Sequence, residues 1–166
     1  MNTLKRLWRH LTTTRATGRR AFPKEVLAEI QQTIARGEQL HRAEVRIIIE
    51  PGLPLADVLD GMHPRARARE LFSDYRVWDT EENFGVLIYL DLADHQVEIV
   101  ADRGVGRLVQ PEEWQAICDT MTRELRRGAY RDSTIAALEQ LTVLLQQKLP
   151  AGGQRANQLS DKPIVL

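Results

Sequence analysis

Four carboxylates in two short segments have the residue types that bind a metal ion: Asp79, Glu81, Glu82 and Asp102. Hard divalent cations take six or more oxygen ligands, several of them from carboxylates. Three or four of these side chains, completed by backbone carbonyls and water, would form such a shell. The alternative is a solvated acidic rim in which Asp79 or Asn83 caps a turn.

Hydrolysis at such a site would need a nucleophile or a metal-activated water, together with a cation for the negative charge that develops on the substrate. Arg103 and Arg107 follow the acidic segments and are candidates for that cation, with solvation at the surface as the alternative. No motif with a serine or cysteine nucleophile is present. Cys118 lies on an apolar helical stripe, which predicts a buried thiol. The catalytic residues of a hydrolase are therefore unassigned.

The N-terminal residues form a second candidate site of a different kind. Residues 1–24 contain seven basic side chains and no acid, although the whole chain balances 23 basic against 23 acidic residues. The spacing of the apolar residues in this segment, at i, i+3, i+4 and i+7, predicts one stripe of a helix. We call these residues the apolar stripe: Leu4, Leu7, Trp8 and Leu11.

A short basic amphipathic helix with a tryptophan suits the headgroup region of an anionic membrane. The predicted contact residues are the apolar stripe with Arg6 and Arg9. The same pattern is also consistent with a helix that binds an unidentified protein partner. A helix docked on its own acidic domain, with solvated arginines, or a disordered arm is the alternative to both.

Composition excludes several other functions. A net charge of zero argues against a nucleic-acid binder. The single cysteine rules out an internal disulfide. The Gly104-Val105-Gly106 segment lacks the third glycine of a dinucleotide fingerprint, so we expect no organic cofactor. No apolar run reaches the roughly 18 residues of a membrane span, and no segment resembles a signal peptide. We therefore expect a cytoplasmic protein, peripheral on the inner face of the membrane if it binds lipid.

The hydrophobic periodicity between residues 23 and 150 predicts helix, strand, helix, strand, strand, helix, helix. Residues 84–90 are apolar on both faces, which indicates a central strand. Residues 96–100 alternate, and the polar reversal at 91–95 makes a hairpin. Residues 1–22 are the basic arm, 23–150 an α/β domain, and 151–166 an aperiodic segment that we expect to be disordered.

A strand–helix–strand order implies a right-handed crossover between parallel neighbours. With helices on both faces, the expected fold is a three-layer α/β/α sandwich whose small mixed sheet has a parallel pair plus an antiparallel hairpin strand. In this arrangement the entries to the first two strands and the exit of the third lie at one end. That end would carry the acidic rim: Glu44, Asp79, Glu81, Glu82 and Asp102.

Residues 77–90 (VWDTEENFGVLIYL) and 97–105 (VEIVADRGV) resemble the TPM domain, a thylakoid-lumen phosphatase-type domain. The segments at 68–72 and 125–130 fit the same pattern, so the resemblance covers about residues 23–150. The chain is most similar to the short cytoplasmic subgroup. It departs from the family pattern where Phe84 separates Asn83 from Gly85, and where Arg107 stands in a stretch that usually carries a glutamate.

The resemblance implies an α/β sandwich with a small cleft that sometimes holds a divalent metal, calcium more often than magnesium. It also implies phosphatase activity in some relatives and accessory or assembly roles in others. We expect a non-catalytic binding or accessory module that contacts a protein partner or the membrane surface. The alternative is a metal-dependent, acid-phosphatase-like hydrolase with its site at the acidic rim.

Overall fold

The computed structural model describes residues 3–153 and 156–166. Eight helices and four strands follow one another along these residues. They are α1 (Thr3–Thr12), α2 (Arg15–Ala21), α3 (Lys24–Glu38), β1 (Glu44–Glu50), α4 (Leu55–Leu59), α5 (Pro64–Asp74), β2 (Gly85–Asp91), β3 (Gln96–Ala101), α6 (Arg103–Gly106), α7 (Pro111–Leu125), α8 (Tyr130–Lys148) and β4 (Ile164–Val165).

The strands form one mixed sheet in the order β3-β2-β1-β4. β1 and β2 are parallel, with Glu44 opposite Gly85 and Glu50 opposite Asp91. β2 and β3 form the antiparallel hairpin. Every residue of β2 is buried, as a strand with two apolar faces requires. The predicted parallel pair and hairpin strand are confirmed.

Helices cover both faces of the sheet. The alternate residues Val45, Ile47 and Ile49 of β1 point into the larger core, which they share with α3, α7 and α8. Ile48 points to the other face, into a smaller core with Leu71 of α5. The period of two along a strand produces this division. The fold is therefore the predicted α/β/α sandwich.

The C-terminal segment differs from the disordered tail that the sequence suggested. Ile164 and Val165 form β4, which pairs in parallel with Ile48 and Ile49 of β1. The Glu44 carboxylate accepts hydrogen bonds from the backbone N–H groups of residues 158 and 159 at 3.0 and 2.9 Å. A two-residue strand is too short to produce a periodic pattern, so only its contacts with β1 reveal it. Residues 154 and 155 of the expected tail lie outside the described residues.

The N-terminal arm contains two helices. The predicted amphipathic helix is present as α1, and α1 packs against α4. A second helix, α2, follows α1 in the same arm. Gly18 of α2 lies so close to Pro51 that an added Cβ would be 2.7 Å from its ring. No helix among the described residues is both long enough and apolar enough to cross a bilayer.

Candidate functional site

Acidic residues are buried at the carboxyl ends of the two parallel strands. Glu50 ends β1, Asp91 ends β2, and the two are paired in register. Asp94 follows in the turn between β2 and β3, and it is buried as well. Ligand sites of open α/β sheets lie at the carboxyl ends of the strands. This end of the sheet is opposite the predicted acidic rim.

The basic side of α1 contacts Asp94. Arg6 Nε donates a hydrogen bond to Asp94 Oδ2 at 2.7 Å, and Arg9 donates to Asp94 Oδ1. Arg6 also donates to the backbone carbonyl of Met62 at 2.5 Å. Burial alone would raise the pKa of Asp94, but the hydrogen bonds from His10 and Arg6 hold it well below its usual range. Asp94 therefore stays ionised and binds α1 to the hairpin.

His10 is the buried residue of α1, and its side chain is inaccessible to solvent. Its Nδ1 accepts a hydrogen bond from the Leu53 backbone N–H at 2.9 Å. A neutral imidazole that accepts at Nδ1 carries its proton at Nε2. Nε2 lies 3.3 Å from Asp94 Oδ2. The hydrogen bond from Leu53 thus fixes the tautomer that directs a proton toward the Asp94 carboxylate.

Asp91 is fully buried beneath this contact. Its Oδ1 accepts from the Asp94 backbone N–H at 3.0 Å, while Oδ2 has no hydrogen-bond partner. Burial raises the pKa of Asp91 to about 6; the hydrogen bond from the Asp94 amide opposes the rise and the Asp94 charge adds to it. A carboxylate oxygen without a partner is costly in such a place.

Three of these residues have the spacing of a metal site. Each of His10, Asp91 and Asp94 offers one ligand atom, and these three atoms lie within 4.8 Å of one another, so the group could hold a metal ion. In the present arrangement two other interactions use the same atoms. The His10 Nε2 position carries a proton, because Leu53 occupies Nδ1, and Arg6 already binds Asp94 Oδ2. A metal ion would have to displace both.

A second buried network adjoins Asp91 at Glu50. Arg67 of α5 makes two hydrogen bonds to the Glu50 carboxylate, at 3.1 and 2.9 Å. The Tyr89 hydroxyl donates to Glu50 Oε2 at 2.7 Å. Burial, and then the charges of Asp91 and Glu50, raise the pKa of Tyr89, so its hydroxyl remains a donor. Glu50 is satisfied by these three bonds, and this network has a structural role.

The predicted rim residues lie at the other end of the sheet. The three chain segments meet there as expected, since Glu44 is opposite Gly85 and Ala101 is opposite Val86. Within the described part of the chain, however, Asp79, Glu81, Glu82 and Asp102 do not form a group of three with ligand spacing.

The individual rim side chains have different surroundings. Asp79 and Glu81 are exposed. Glu82 forms an ion pair with Arg42. Asp102 caps α6 through a hydrogen bond from the Arg103 N–H at 2.7 Å, and its Oδ2 is buried without a hydrogen-bond partner. Of these four side chains, Asp102 is the one with a buried oxygen that no hydrogen bond satisfies.

The predicted contact residues of the arm divide between two sides of α1. Leu4, Trp8 and Leu11 of the apolar stripe are 73%, 68% and 48% exposed. Leu7 is half-buried. The two arginines of the prediction, Arg6 and Arg9, turn toward Asp94. The helix is thus docked on its own domain by its basic side, while its apolar stripe faces solvent.

A cavity of about 740 Å³ lies beside this contact. α1, the segment between α4 and α5, the β2–β3 turn and the end of α7 surround it. We call it the cationic cavity, because its charged and titratable lining consists of Arg6, Arg9, His63, Asp94, His95 and Arg126. Burial, and then the charges of Arg9 and Arg126, lower the pKa of His95. An excess of positive charge therefore surrounds the cavity.

A family model of the TPM domain matches residues 19–144. The chain belongs to the TPM domain family. Among curated proteins, no sequence matches it. The fold is similar to that of the BA42 protein from the psychrophilic bacterium Bizionia argentinensis, with 19% identity, 85% of this chain and 92% of that chain covered, and a TM-score of 0.75.

A second similar structure is the N-terminal domain of the cg2496 protein from Corynebacterium glutamicum, with 11% identity, 81% of each chain covered and a TM-score of 0.56. Both likenesses concern the fold of the TPM domain. The matched region begins after α1, so Arg6, Arg9 and His10 precede it. The contact at Asp94 joins the family domain to a helix outside it.

The sequence contained a signal for this contact that periodicity did not use. Asp91 and Asp94 come at the end of an apolar strand and in the turn after it, and the arm that lies opposite them has six basic residues and no acid. The opposite charges of the β2–β3 turn and the N-terminal arm would have predicted that the two segments are in contact. The amphipathic pattern alone could not, because it assigns Arg6 and Arg9 to the solvated side of the helix.

Proposed function

We propose that this TPM-domain chain is a non-catalytic binding module that docks on an anionic membrane surface through α1, on the cytoplasmic side. The observation that carries the proposal is the orientation of the helix. Its basic side is held against Asp94, and the apolar stripe is left exposed at Leu4, Trp8 and Leu11. Exposed apolar patches with a polar border mark interaction sites.

The composition around the stripe favours a lipid surface as the occupant. Lys5 lies beside Leu4 on α1, and further exposed basic residues follow in α2: Arg15, Arg19 and Arg20. Each such residue near an anionic membrane contributes about 1 kcal/mol. Tryptophan suits the boundary between headgroups and acyl chains, because its ring is apolar and its N–H is polar. Leu59 of α4 is also exposed and extends the apolar surface.

Docking on the domain also lowers the cost of membrane binding. A helix as short as α1, with 10 residues, is marginal in water when isolated. Since Asp94 and His10 hold it folded, the stripe is already formed before it meets a bilayer. Preorganisation of this kind increases affinity by reducing the entropy lost on binding.

Sedimentation with vesicles tests the proposal. The full chain should sediment with vesicles that contain phosphatidylglycerol and not with pure phosphatidylcholine. Leu4→Ser with Trp8→Ser should weaken binding by about a hundredfold or more, because burying each side chain contributes roughly 1.5–3 kcal/mol. Trp78→Ser is the matched control, since Trp78 is 47% exposed and precedes β2 at the opposite end of the sheet.

Equal sedimentation of the two variants, or none by the native chain, would overturn the membrane proposal. If the native chain ignores vesicles but forms a defined complex that Leu4→Ser and Trp8→Ser abolish, the stripe is a protein interface instead. Circular dichroism of each variant verifies that the fold is intact.

A metal-dependent phosphatase is the second candidate, and one observation favours it. Asp91 Oδ2 is buried without a partner beside His10 and Asp94. A histidine ligand suits zinc better than calcium. We place this candidate second because the hydrogen bond from Leu53 to His10 and the pairing of Arg6 with Asp94 would both have to break. A metal bound there would supply an activated water for hydrolysis.

Calorimetric titration with zinc, manganese and calcium tests this second candidate, together with hydrolysis of an aryl phosphate. Binding that His10→Gln abolishes would support a site at the hairpin. Binding that Asp102→Asn abolishes would support the acidic rim instead. The absence of both binding and phosphate release would rule out the enzyme.

A further inference from the structure

We infer that the cationic cavity binds the phosphate group of an anionic lipid headgroup. Three guanidinium groups line it, those of Arg6, Arg9 and Arg126, against the one carboxylate of Asp94. The lining therefore has an excess of two positive charges before any histidine is protonated. Arginine is the side chain best matched to phosphate oxygens, because its planar group donates two parallel hydrogen bonds.

Arg126 is the residue of this lining that is placed to receive a ligand. It follows the last turn of α7 and is exposed. Among the described residues it forms no ion pair, whereas Arg6 is bonded to Asp94 at 2.7 Å. Arg126 and Arg9 both line the cavity, so their positive charges repel each other. A phosphate group would neutralise that repulsion.

The N-terminus of α5 adds to the positive potential. His63, its N-cap, and Pro64, its first residue, both line the cavity. The His63 side chain makes no capping hydrogen bond, so the amides of the first turn have no side-chain acceptor there. Backbone N–H groups at a helix N-terminus attract anions. This contribution supplements the arginines, which define the site.

The position of the cavity connects it with the apolar stripe. Arg9 lines the cavity and also borders a hollow formed with Leu4, Lys5 and Trp8. Leu59, which is exposed, lies at the same cavity. A helix lying in the headgroup region would bring the cavity to the level of the phosphates. The inference thus rests on the proposed membrane-binding function, and it adds that the phosphate is the part of the headgroup that the protein binds.

Inorganic phosphate is the first probe, because it requires no vesicle. We expect chemical-shift changes at residues 63, 95 and 126 of the native chain. Arg126→Gln should weaken phosphate binding by about tenfold, the worth of a charge-assisted hydrogen bond. Arg127→Gln is the matched control: Arg127 is the exposed neighbour, pairs with Glu124 at 2.9 Å, and does not line the cavity. Absence of binding, or equal weakening by both variants, overturns the inference.

Two vesicle compositions of equal surface charge then distinguish the source of the phosphate. One contains phosphatidic acid, whose phosphate is a monoester, and the other phosphatidylglycerol, whose phosphate is a diester. Preference for phosphatidic acid that Arg126→Gln removes supports a lipid headgroup. If Arg126→Gln weakens the binding of inorganic phosphate but leaves binding to both kinds of vesicle unchanged, the headgroup assignment is overturned and a soluble phosphate compound is indicated.

The Leu4→Ser, Trp8→Ser variant separates this inference from the proposed function. It should lose vesicle binding and retain phosphate binding, because neither residue lines the cavity. If the native chain binds phosphate in an Arg126-dependent manner but never sediments with vesicles, the membrane proposal fails alone. If vesicles bind and phosphate does not, the cavity assignment fails alone.

Discussion

Arg6 and Asp94, 88 positions apart in the sequence, form a hydrogen-bonded ion pair in which Arg6 Nε lies 2.7 Å from Asp94 Oδ2. The Arg6 side chain is 12% exposed and that of Asp94 is 5% exposed. The pair joins the leader helix α1 to the hairpin turn of the TPM domain. It therefore determines which side of α1 faces outward, and with it the position of the apolar stripe.

Asp94→Asn should release α1 from the domain. The substitution keeps the shape of the side chain but removes the charge that Arg6 and Arg9 share, and hydrogen bonds to charged groups contribute about 1.5–3 kcal/mol each. We expect amide hydrogen exchange in residues 4–12 to accelerate by tenfold or more, roughly 1.4 kcal/mol. Exchange in β2 should change little. Asp119→Asn, an exposed aspartate on α7, is the control, and unchanged protection in α1 would contradict the assignment.

Arg67→Met should destabilise the domain more than Tyr89→Phe. The first change leaves the buried Glu50 carboxylate without its cation, at a cost of about 3–5 kcal/mol. The second removes one of its three hydrogen bonds, at about 1–2 kcal/mol. Urea unfolding monitored by circular dichroism measures both. Glu50→Met combined with Arg67→Met should recover most of the loss; a double variant as unstable as the sum of its parts would show that the pair is worth more than its burial costs.

Glu38→Gln should stabilise the protein at alkaline pH. Burial, opposed by the hydrogen bond from the Val45 N–H, raises the pKa of Glu38 from 4.5 to about 9. Between these values the folded state binds more protons than the unfolded state, so the free energy of unfolding falls as pH rises. Glutamine removes this loss and can still accept from Val45, which lies at 2.7 Å.

We expect the gain in Tm from Glu38→Gln to grow from about pH 5 to about pH 8, by roughly 2–4 °C for each kcal/mol. Glu25→Gln, at an exposed position of the same helix, should show no such trend. A Tm difference that is constant across this range would mean that Glu38 is ionised in the folded protein.

Gly85→Ala should prevent folding. A Cβ at Gly85 would lie 1.8 Å from the carbonyl oxygen of Val77, and backbone atoms cannot move aside cheaply. Gly106→Ala is the matched control, because nothing lies within 4 Å of its Cβ position and alanine is favoured over glycine in a helix by up to about 1 kcal/mol. The first variant should be insoluble or unfolded by circular dichroism. A native-like spectrum for Gly85→Ala would show that β2 starts elsewhere.

Local hydrophobic patterns in the sequence were sufficient to predict the helices and strands that form the layers of the fold. The alternation Val45, Ile47, Ile49 assigns one face of β1 to the core, and the unbroken apolar run at 84–90 identifies the central strand. Hydrophobic periodicity reports burial within one element, which is why it also gives α1 and its apolar stripe. The same patterns carry the family motif. The amphipathic pattern of residues 64–75 could not show that Arg67 pairs with the buried Glu50, because the pairing depends on another element.

The sites depended on which segments meet in three dimensions. The sequence directed attention to Asp79 and Asp102, whereas the residues with ligand spacing lie at the opposite end of the sheet, at Asp91 and Asp94. Asp94 is paired with Arg6 of α1, and the 88 positions between the two leave no periodic pattern in the sequence. β4 is a further case, because its two residues form a strand only through their pairing with β1. The residue pattern of one helix or strand predicts which of its faces is buried. Charge pairing between distant segments depends on how those segments pack in three dimensions.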